Sequence, residues 1–337
     1  MRKKTKVLLL FDSPYFTPRD YSFKEEFKDE DWKTEKHVYR ALLSNGYKVR
    51  ILGLYNDIFI LLEELDDHRP DIVFNLTEVF NNKSQLDKNV AWFLEMLDIP
   101  YTGANPSNFL VCNNKALSKK ILKFHDIRVP YFHSFYRGHK LKLPKKLSFP
   151  LIVKPLHEEA SRGITQSSVV NNRNSLVKRI GYLHKKMNSD VIVEEYIDGR
   201  EFYVSILGTK NIKVFPPIEL RFSNAKKAKE RIASYRVKWD KEYRKRLGIK
   251  GQYAGRIRKD ILKKIEDISK KAYRALNIDS YARFDLRLAP SSKVYILEAN
   301  ANPCIAKDED FSESAEKAKI PYNKLIKKII SLGFNRM

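Results

Sequence analysis

Cysteine is almost missing from this chain: Cys112 and Cys304 are the only two among 337 residues. That excludes a disulfide framework and a Cys-rich zinc site, and a reduced, cytoplasmic protein is expected. Long apolar runs are missing too. The opening MRKKTKVLLLFDSP is basic, but its apolar stretch covers only Val7 to Phe11, too short for a signal-peptide core, and no other segment approaches membrane-spanning length. There is no internal repeat and no low-complexity tract. The seven histidines occur singly, and nothing resembles a Ser–His–Asp or Cys–His arrangement for nucleophilic catalysis.

What remains is an ordinary globular composition, 43% hydrophobic and 31% charged, in a chain long enough for two or three domains. Its charge is uneven. Residues 1–100 hold 15 Lys/Arg against 18 Asp/Glu, whereas the other 237 hold 50 against 23, which accounts for the net +24. Between Arg221 and Lys264 there are 17 basic and 4 acidic residues. Such a block either favours a polyanion, such as nucleotide phosphates, nucleic acid or an acidic substrate, or is a solvated surface.

The first hundred residues alternate between buried-strand patterns (KVLLLF, YKVRILGL, DIVFNL) and helical ones (EDWKTEKHVYRALLSNG, DIFILLEELDDH, SQLDKNVAWFLEMLD). This βα alternation predicts a parallel sheet flanked by helices. IPYTGANP marks a boundary near residue 101. Beyond it come the helix NKALSKKILKFHD, the strand FPLIVKP, the helix RNSLVKRIGYLHKKMN and the strand DVIVEEYI, then EFYVSILG and IKVFPPIEL as consecutive antiparallel strands. Residues 223–256 show no clean period and read as loop with short helices. The overall expectation is an α/β protein with an α+β C-terminal part, divided as 1–100, 101–190 and 191–337.

YARFDLRLAPSSKVYILEANANP, residues 281–303, is the segment where polar groups interrupt apolar strands. Side chains alternate along a strand, so Arg283 and Asp285 share a face, as do Glu298 and Asn300. The linker APSS is short enough for a hairpin that sets the two pairs side by side. Two carboxylates and an amide oxygen at this density suit a hard cation such as Mg²⁺; an Arg–Asp ion pair on a solvated sheet face is the plain alternative. Elsewhere, Lys115 opens a helix after CNN, and Lys154 ends the buried strand FPLIVKP, where it is placed to meet an anion. HEEASRGIT, with Ser161 and Gly163, is a glycine-poor loop that would offer backbone N–H groups to phosphate. In DVIVEEYIDGREF, a buried strand ends in Glu194, Glu195 and Tyr196, followed by a turn at Asp198–Gly199 and then Glu201; exposed backbone at a strand end suits an adenine edge and a carboxylate suits a ribose diol, with a polar strand end and capping carboxylates as the alternative.

PYTG…NNKA, FPLIVKP, VEEYIDGREF, YRVKWD and YARFDLRL…YILEANANP, in this order, make the chain resemble the ATP-grasp superfamily, and most closely its D-alanine–D-alanine ligase-like branch. The resemblance implies an ATP-grasp fold with a pre-ATP-grasp N-terminal α/β domain and ATP held between two α+β subdomains. It implies that Lys115, Lys154 and the Ser161–Gly163 loop contact the phosphates, that the strand Val193–Ile197 lies along the adenine, and that Glu201 holds the ribose. Lys238 would approach the γ-phosphate from a mobile loop, Asp285, Glu298 and Asn300 would hold two Mg²⁺ ions (Mn²⁺ as a substitute), and Arg283 would stabilise developing charge. The implied reaction is ADP-forming carboxylate–amine ligation through an acyl phosphate. Small-molecule amino-acid or peptide substrates are implied, with no membrane or nucleic-acid partner, and a homodimer as the assembly to test.

The substrate side departs from D-alanine–D-alanine ligase. Its GG-x-S-x-E segment is replaced by LLFDSPYF, where Asp12 is a substitute carboxylate, and EASRG stands for the Gly-Ser-Ser loop, adding Arg162. Asn114 replaces an aspartate, Cys304 a glycine, and Asp308, Glu309 and Asp310 lie where a serine receives the second alanine's carboxylate. An acidic run is a poor receiver for a carboxylate, so a substrate other than D-alanine is expected. Two other readings stand beside the ligase. A nucleic-acid-binding protein is disfavoured because the basic block lacks interleaved stacking aromatics. An ATP-binding regulatory relative without turnover is disfavoured because the metal ligands, Arg283 and three lysines are all retained.

Overall fold

The five consecutive apolar residues of β1 (Lys6–Asp12) are buried on both faces. That burial is the condition under which a parallel sheet is stable. β1 lies between β2 (Lys48–Leu54) and β3 (Ile72–Asn75), parallel to both. The helices α1 (Lys33–Ser44), α2 (Phe59–His68) and α3 (Asp87–Met96) fill the connections. Leu8 and Leu10 pack towards Leu61, Leu65, Val90 and Leu94, while Val7, Leu9 and Phe11 pack towards Val38, Ala41 and Leu42. The computed structural model describes residues 4–158, 160–225, 230–254 and 257–336.

After α4 (Pro106–Cys112) and α5 (Lys115–Phe124) comes a second, antiparallel sheet. Its strands are β4 (Phe132–Phe135), β5 (Leu151–Pro155), β6 (Val169–Val170) and β7 (Val191–Glu195), in the order β4-β7-β5-β6. The helix α6 (Arg173–Lys186) closes one face through Leu176, Ile180 and Leu183. β7 pairs with both β4 and β5, so this sheet extends through Glu195. A strand takes its neighbours from hydrogen-bond register, which local composition does not report.

The third sheet is built from β8 (Arg200–Leu207), β9 (Lys213–Val214), β10 (Ile218–Phe222), β11 (Ile249–Tyr253), β12 (Tyr281–Leu288) and β13 (Val294–Asn300). Its order is β11-β10-β8-β12-β13, with β9 also on β8. Pro216 and Pro217, which lack N–H donors, split the expected strand IKVFPPIEL into β9 and β10. Between β10 and β11 lie α7 (Tyr235–Trp239) and α8 (Lys241–Leu247). The basic stretch therefore contains the short helices expected of it, and also a strand. Residues 226–229 and 255–256 of that stretch, and Glu159 in the earlier loop, lie outside the described residues.

The amphipathic α9 (Lys259–Ala275) covers one face of this sheet with Ile261, Ile265 and Ala272, leaving the opposite face to meet the β5 sheet across a cleft. After α10 (Asp310–Lys317), the last helix α11 (Tyr322–Phe334) packs Ile326 and Ile329 into the N-terminal core beside Val38. The C-terminal residues thus complete the first unit as well as the third. Among the described residues no helix is long and apolar enough to cross a membrane.

Candidate functional site

β12 and β13 form the expected hairpin, with Arg283 opposite Asn300 and Asp285 opposite Glu298. The next pair is Leu286 with Ile296, so Leu297 is an extra residue, a β-bulge on β13. The bulge decides which way the carboxylate faces. In a regular strand Ile296, Glu298 and Asn300 would share one face, whereas here Ile296 joins Leu286 in the core and Glu298 and Asn300 join Asp285 and Arg283 on the cleft side.

On that side Arg283 Nε lies 2.8 Å from Asp285 Oδ1, and Asn300 Nδ2 donates to the same oxygen at 3.4 Å, which turns the Asn300 carbonyl away from it. Lys115 Nζ is 2.9 Å from Glu298 Oε1. Burial alone would raise the Glu298 carboxyl, but Lys115, Lys154 and Lys238 overcome it and hold its pKa at about 2. Two carboxylates and an amide carbonyl are an all-oxygen donor set, which fits a hard divalent cation. Among the described residues no group of three or more His, Cys, Asp or Glu is assembled for a metal, so a cation held here needs ligands beyond these side chains.

The lysines come from two elements. Asn114 caps α5 by accepting from Leu117 N at 3.0 Å, which places Lys115 in the first turn and Lys119 one turn later on the same face. Lys154 lies on β5, and Glu194 on the adjacent β7 accepts from Lys154 Nζ at 3.0 Å and pairs with Lys119 Nζ at 3.2 Å. Glu194 is fully buried; burial would raise its pKa, yet the two ammonium groups bring it below the usual value. Its carboxylate therefore serves first to order two lysines. Lys119 is absent from the sequence reading, although its i,i+4 spacing from Lys115 signals the shared face.

Arg287 was missed as well. It continues the alternation Arg283, Asp285 along β12, which was the available signal. Its guanidinium pairs with the Glu201 carboxylate, donates to Ile197 O at 2.9 Å and to Arg231 O at 2.8 Å, and lies 5.3 Å from the Tyr196 ring centroid. One buried arginine thus ties the β7 end to the start of β8. Glu195 accepts from Tyr131 N at 3.1 Å, and Tyr196 N donates to Pro150 O at 3.0 Å.

Two loops meet over the cleft. Ser161 Oγ donates to Ala233 O at 2.6 Å, Tyr235 N to Ile164 O at 3.0 Å, and Trp239 Nε1 to Ala160 O at 3.4 Å. Gly163 has φ +75°, and a Cβ there would lie 2.6 Å from Met187 Sδ and 2.8 Å from Pro155 Cγ, so only glycine fits. Beneath them a cleft of about 590 Å³, open to solvent, is lined by Lys154, Ser161, Glu194 to Ile197, Glu201, Lys238, Asp285 and Glu298. Lys115, Arg283 and Asn300 reach its edge through Glu298 and Asp285, and Gly163 lies behind the wall.

At the N-terminal side, Asp12 Oδ1 accepts from Glu78 N at 2.7 Å and Val79 N at 3.4 Å. Burial, with the Asp12 charge adding to it, pushes Glu35 up to about 7. Lys33 partly neutralises the acidic run, 2.5 Å from Glu309 Oε1 and 3.6 Å from Asp308 Oδ1. Burial raises the Asp310 carboxyl even though Arg283 opposes it. Because the Glu35 pKa is raised on folding from 4.5 to about 7, its stability penalty is absent below pH 4.5 and complete above pH 7. That penalty is up to about 3 kcal/mol. Glu35→Gln is therefore expected to raise the Tm at pH 8 and to leave it nearly unchanged at pH 4.5; equal gains at both would refute the assignment.

The family model for the C-terminus of D-alanine–D-alanine ligase matches residues 121–331. The chain is 30% identical to a D-alanine–D-alanine ligase of Aquifex aeolicus, over 89% of this chain and 94% of that one. It is also 30% identical to the uncharacterised protein y4sG of Sinorhizobium fredii, over 79% and 75%. Its fold matches the crystal structure of the D-alanine–D-alanine ligase from Bacillus anthracis complexed with ATP, with a TM-score of 0.76, 23% identity and 98% of each chain covered. With the motifs on the page and these matches across most of its length, the chain belongs to the D-alanine–D-alanine ligase family and is an ADP-forming ATP-grasp ligase.

Proposed function

We propose that this ligase joins an amino acid or small peptide other than D-alanine to a carboxylate substrate, with ATP in the cleft between β7 and the β12–β13 hairpin. The observation that carries this reading is the convergence of Lys154, Lys238, Glu201, Asp285 and Glu298 on one cleft from five separate elements or loops. The adenine lies along Glu194 to Ile197, with Tyr196 and Ile152 as its apolar walls, and Glu201 holds the ribose. Lys115, Lys154 and the Ser161 loop meet the phosphates, and Lys238 the γ-phosphate. Asp285, Glu298 and the Asn300 carbonyl are the residues that would hold Mg²⁺, which when bound neutralises phosphate charge.

The chemistry requires no protein nucleophile. A substrate carboxylate oxygen attacks the γ-phosphorus and ADP leaves; an amine then attacks the acyl carbon, phosphate leaves, and the nitrogen loses a proton. The chain's residues position the reactants, place cations where negative charge develops, and exclude water beneath the two loops. The departure from D-alanine is supported by Asp310 opposite Arg283 and by Glu35 beside Asp12, a substrate side rich in carboxylates.

ADP release measured with Mg²⁺-ATP across pools of amino acids and short peptides tests this directly. A response to D-alanine alone would remove the specificity reading. Millimolar Mg²⁺-ATP is expected to raise the Tm by mass action, and less so in Lys154→Ala; an unshifted wild type would remove the nucleotide site.

A further inference from the structure

Lys119 is 1% exposed, and no step above uses it. Besides its ion pair with Glu194, its ammonium donates to the carbonyl of Leu297. Leu297 is the bulge residue between Ile296, which faces the core, and Glu298, which faces the cleft. A bulge leaves its extra residue outside the regular ladder, and a buried carbonyl freed in this way needs a donor. Here the donor is a side chain from α5, 178 residues away in sequence.

We propose that Lys119 is a positioning residue for the metal-binding hairpin: it clamps the Leu297 carbonyl and so sets the bulge that turns Glu298 and Asn300 into the cleft. Glu194 fixes the clamp. Its second oxygen takes Lys154 at 3.0 Å, so one buried carboxylate spaces the phosphate lysine of β5 from the lysine that holds β13. Lys115, on the same helix face, meets Glu298 itself at 2.9 Å. The helix therefore grips the bulge at two successive residues, by a backbone carbonyl at Leu297 and by the carboxylate at Glu298. If Leu297 slipped back into the ladder, the facing of every residue after it would reverse and Glu298 would leave the cleft.

The inference rests on Asp285, Glu298 and Asn300 being the metal side chains, and the test separates the two claims. Calorimetric titration with a non-hydrolysable ATP analogue, with and without Mg²⁺, reads binding independently of turnover. In wild type, Mg²⁺ tightens binding of the analogue. In Lys119→Met, affinity without Mg²⁺ is expected to stay within about threefold, while the Mg²⁺ enhancement falls by about tenfold or more. Lys119→Arg, long enough to reach both partners, restores the enhancement. If K119M does not fold by circular dichroism, Lys119→Gln, one bond shorter than lysine but still polar beside Glu194, carries the same expected loss. Full enhancement in a folded K119M or K119Q overturns the role of Lys119, as does a loss that K119R fails to restore. A wild type indifferent to Mg²⁺ overturns instead the metal reading of the hairpin, and the inference with it.

Discussion

Replacing Glu298 with glutamine is expected to abolish ADP formation while leaving the far-ultraviolet circular dichroism unchanged. The substitution keeps the shape of the side chain and removes its charge, where three lysines hold that charge in place. A neutral amide is a weaker ligand for a hard cation and leaves Lys115 facing a dipole rather than an anion. Loss of one preorganised charge at a phosphoryl-transfer centre costs on the order of 10²–10³ in rate, and loss of a metal ligand adds to that. The fold survives because Glu298 lies on the cleft side of the hairpin, while Ile296 and Ala299 carry its packing. An E298Q enzyme retaining a tenth or more of wild-type ADP release would refute the metal site, on the scale of a single lost donor.

Lys238→Ala is expected to lower kcat by about 10²-fold or more and to change the ATP Kd by less than about threefold, because its proposed partner is the γ-phosphate alone. Lys238 lies in α7, the short helix whose neighbours Ala233, Tyr235 and Trp239 bond to the facing loop at Ser161, Ile164 and Ala160. That contact is built from a few main-chain and side-chain hydrogen bonds over a cleft where Lys154 and Lys238 face carboxylates, and a bound polyphosphate that gathered the lysines would tighten it. Mg²⁺ with a non-hydrolysable ATP analogue is accordingly expected to protect the segment around α7 from limited proteolysis. Equal losses in Kd and kcat for K238A would place the lysine in ground-state binding instead. Identical cleavage with and without nucleotide would mean that these loops are no lid.

The segments with a strong period were legible before any coordinates. β1, β2 and β3 announced themselves by apolar runs, α9 by its apolar stripe, and the β12–β13 hairpin by two strand patterns around a short polar linker. The polar residues that the fold brings to one cleft were legible where chemistry contradicts position, as with a lysine ending a buried strand or carboxylates in an apolar one. Arg287 obeyed the same rule and was overlooked; Lys119 was hidden because a lysine on a helix is ordinarily a solvated group.

Local pattern by itself determined the strongly periodic strands and helices, and which polar side chains break those patterns, because burial period and turn chemistry act over a few residues. Only the tertiary structure decided the rest. β7 joined the central sheet by register, β11 formed because β10 offered an edge, and α11 crossed back to the first core. The facing of Glu298 was decided in the same way. Alternation read straight along VYILEAN puts it on the side of Ile296; one extra residue, held by a lysine from a distant helix, puts it in the cleft. Such choices depend on partners far apart in the chain, and only packing brings those partners within hydrogen-bonding distance.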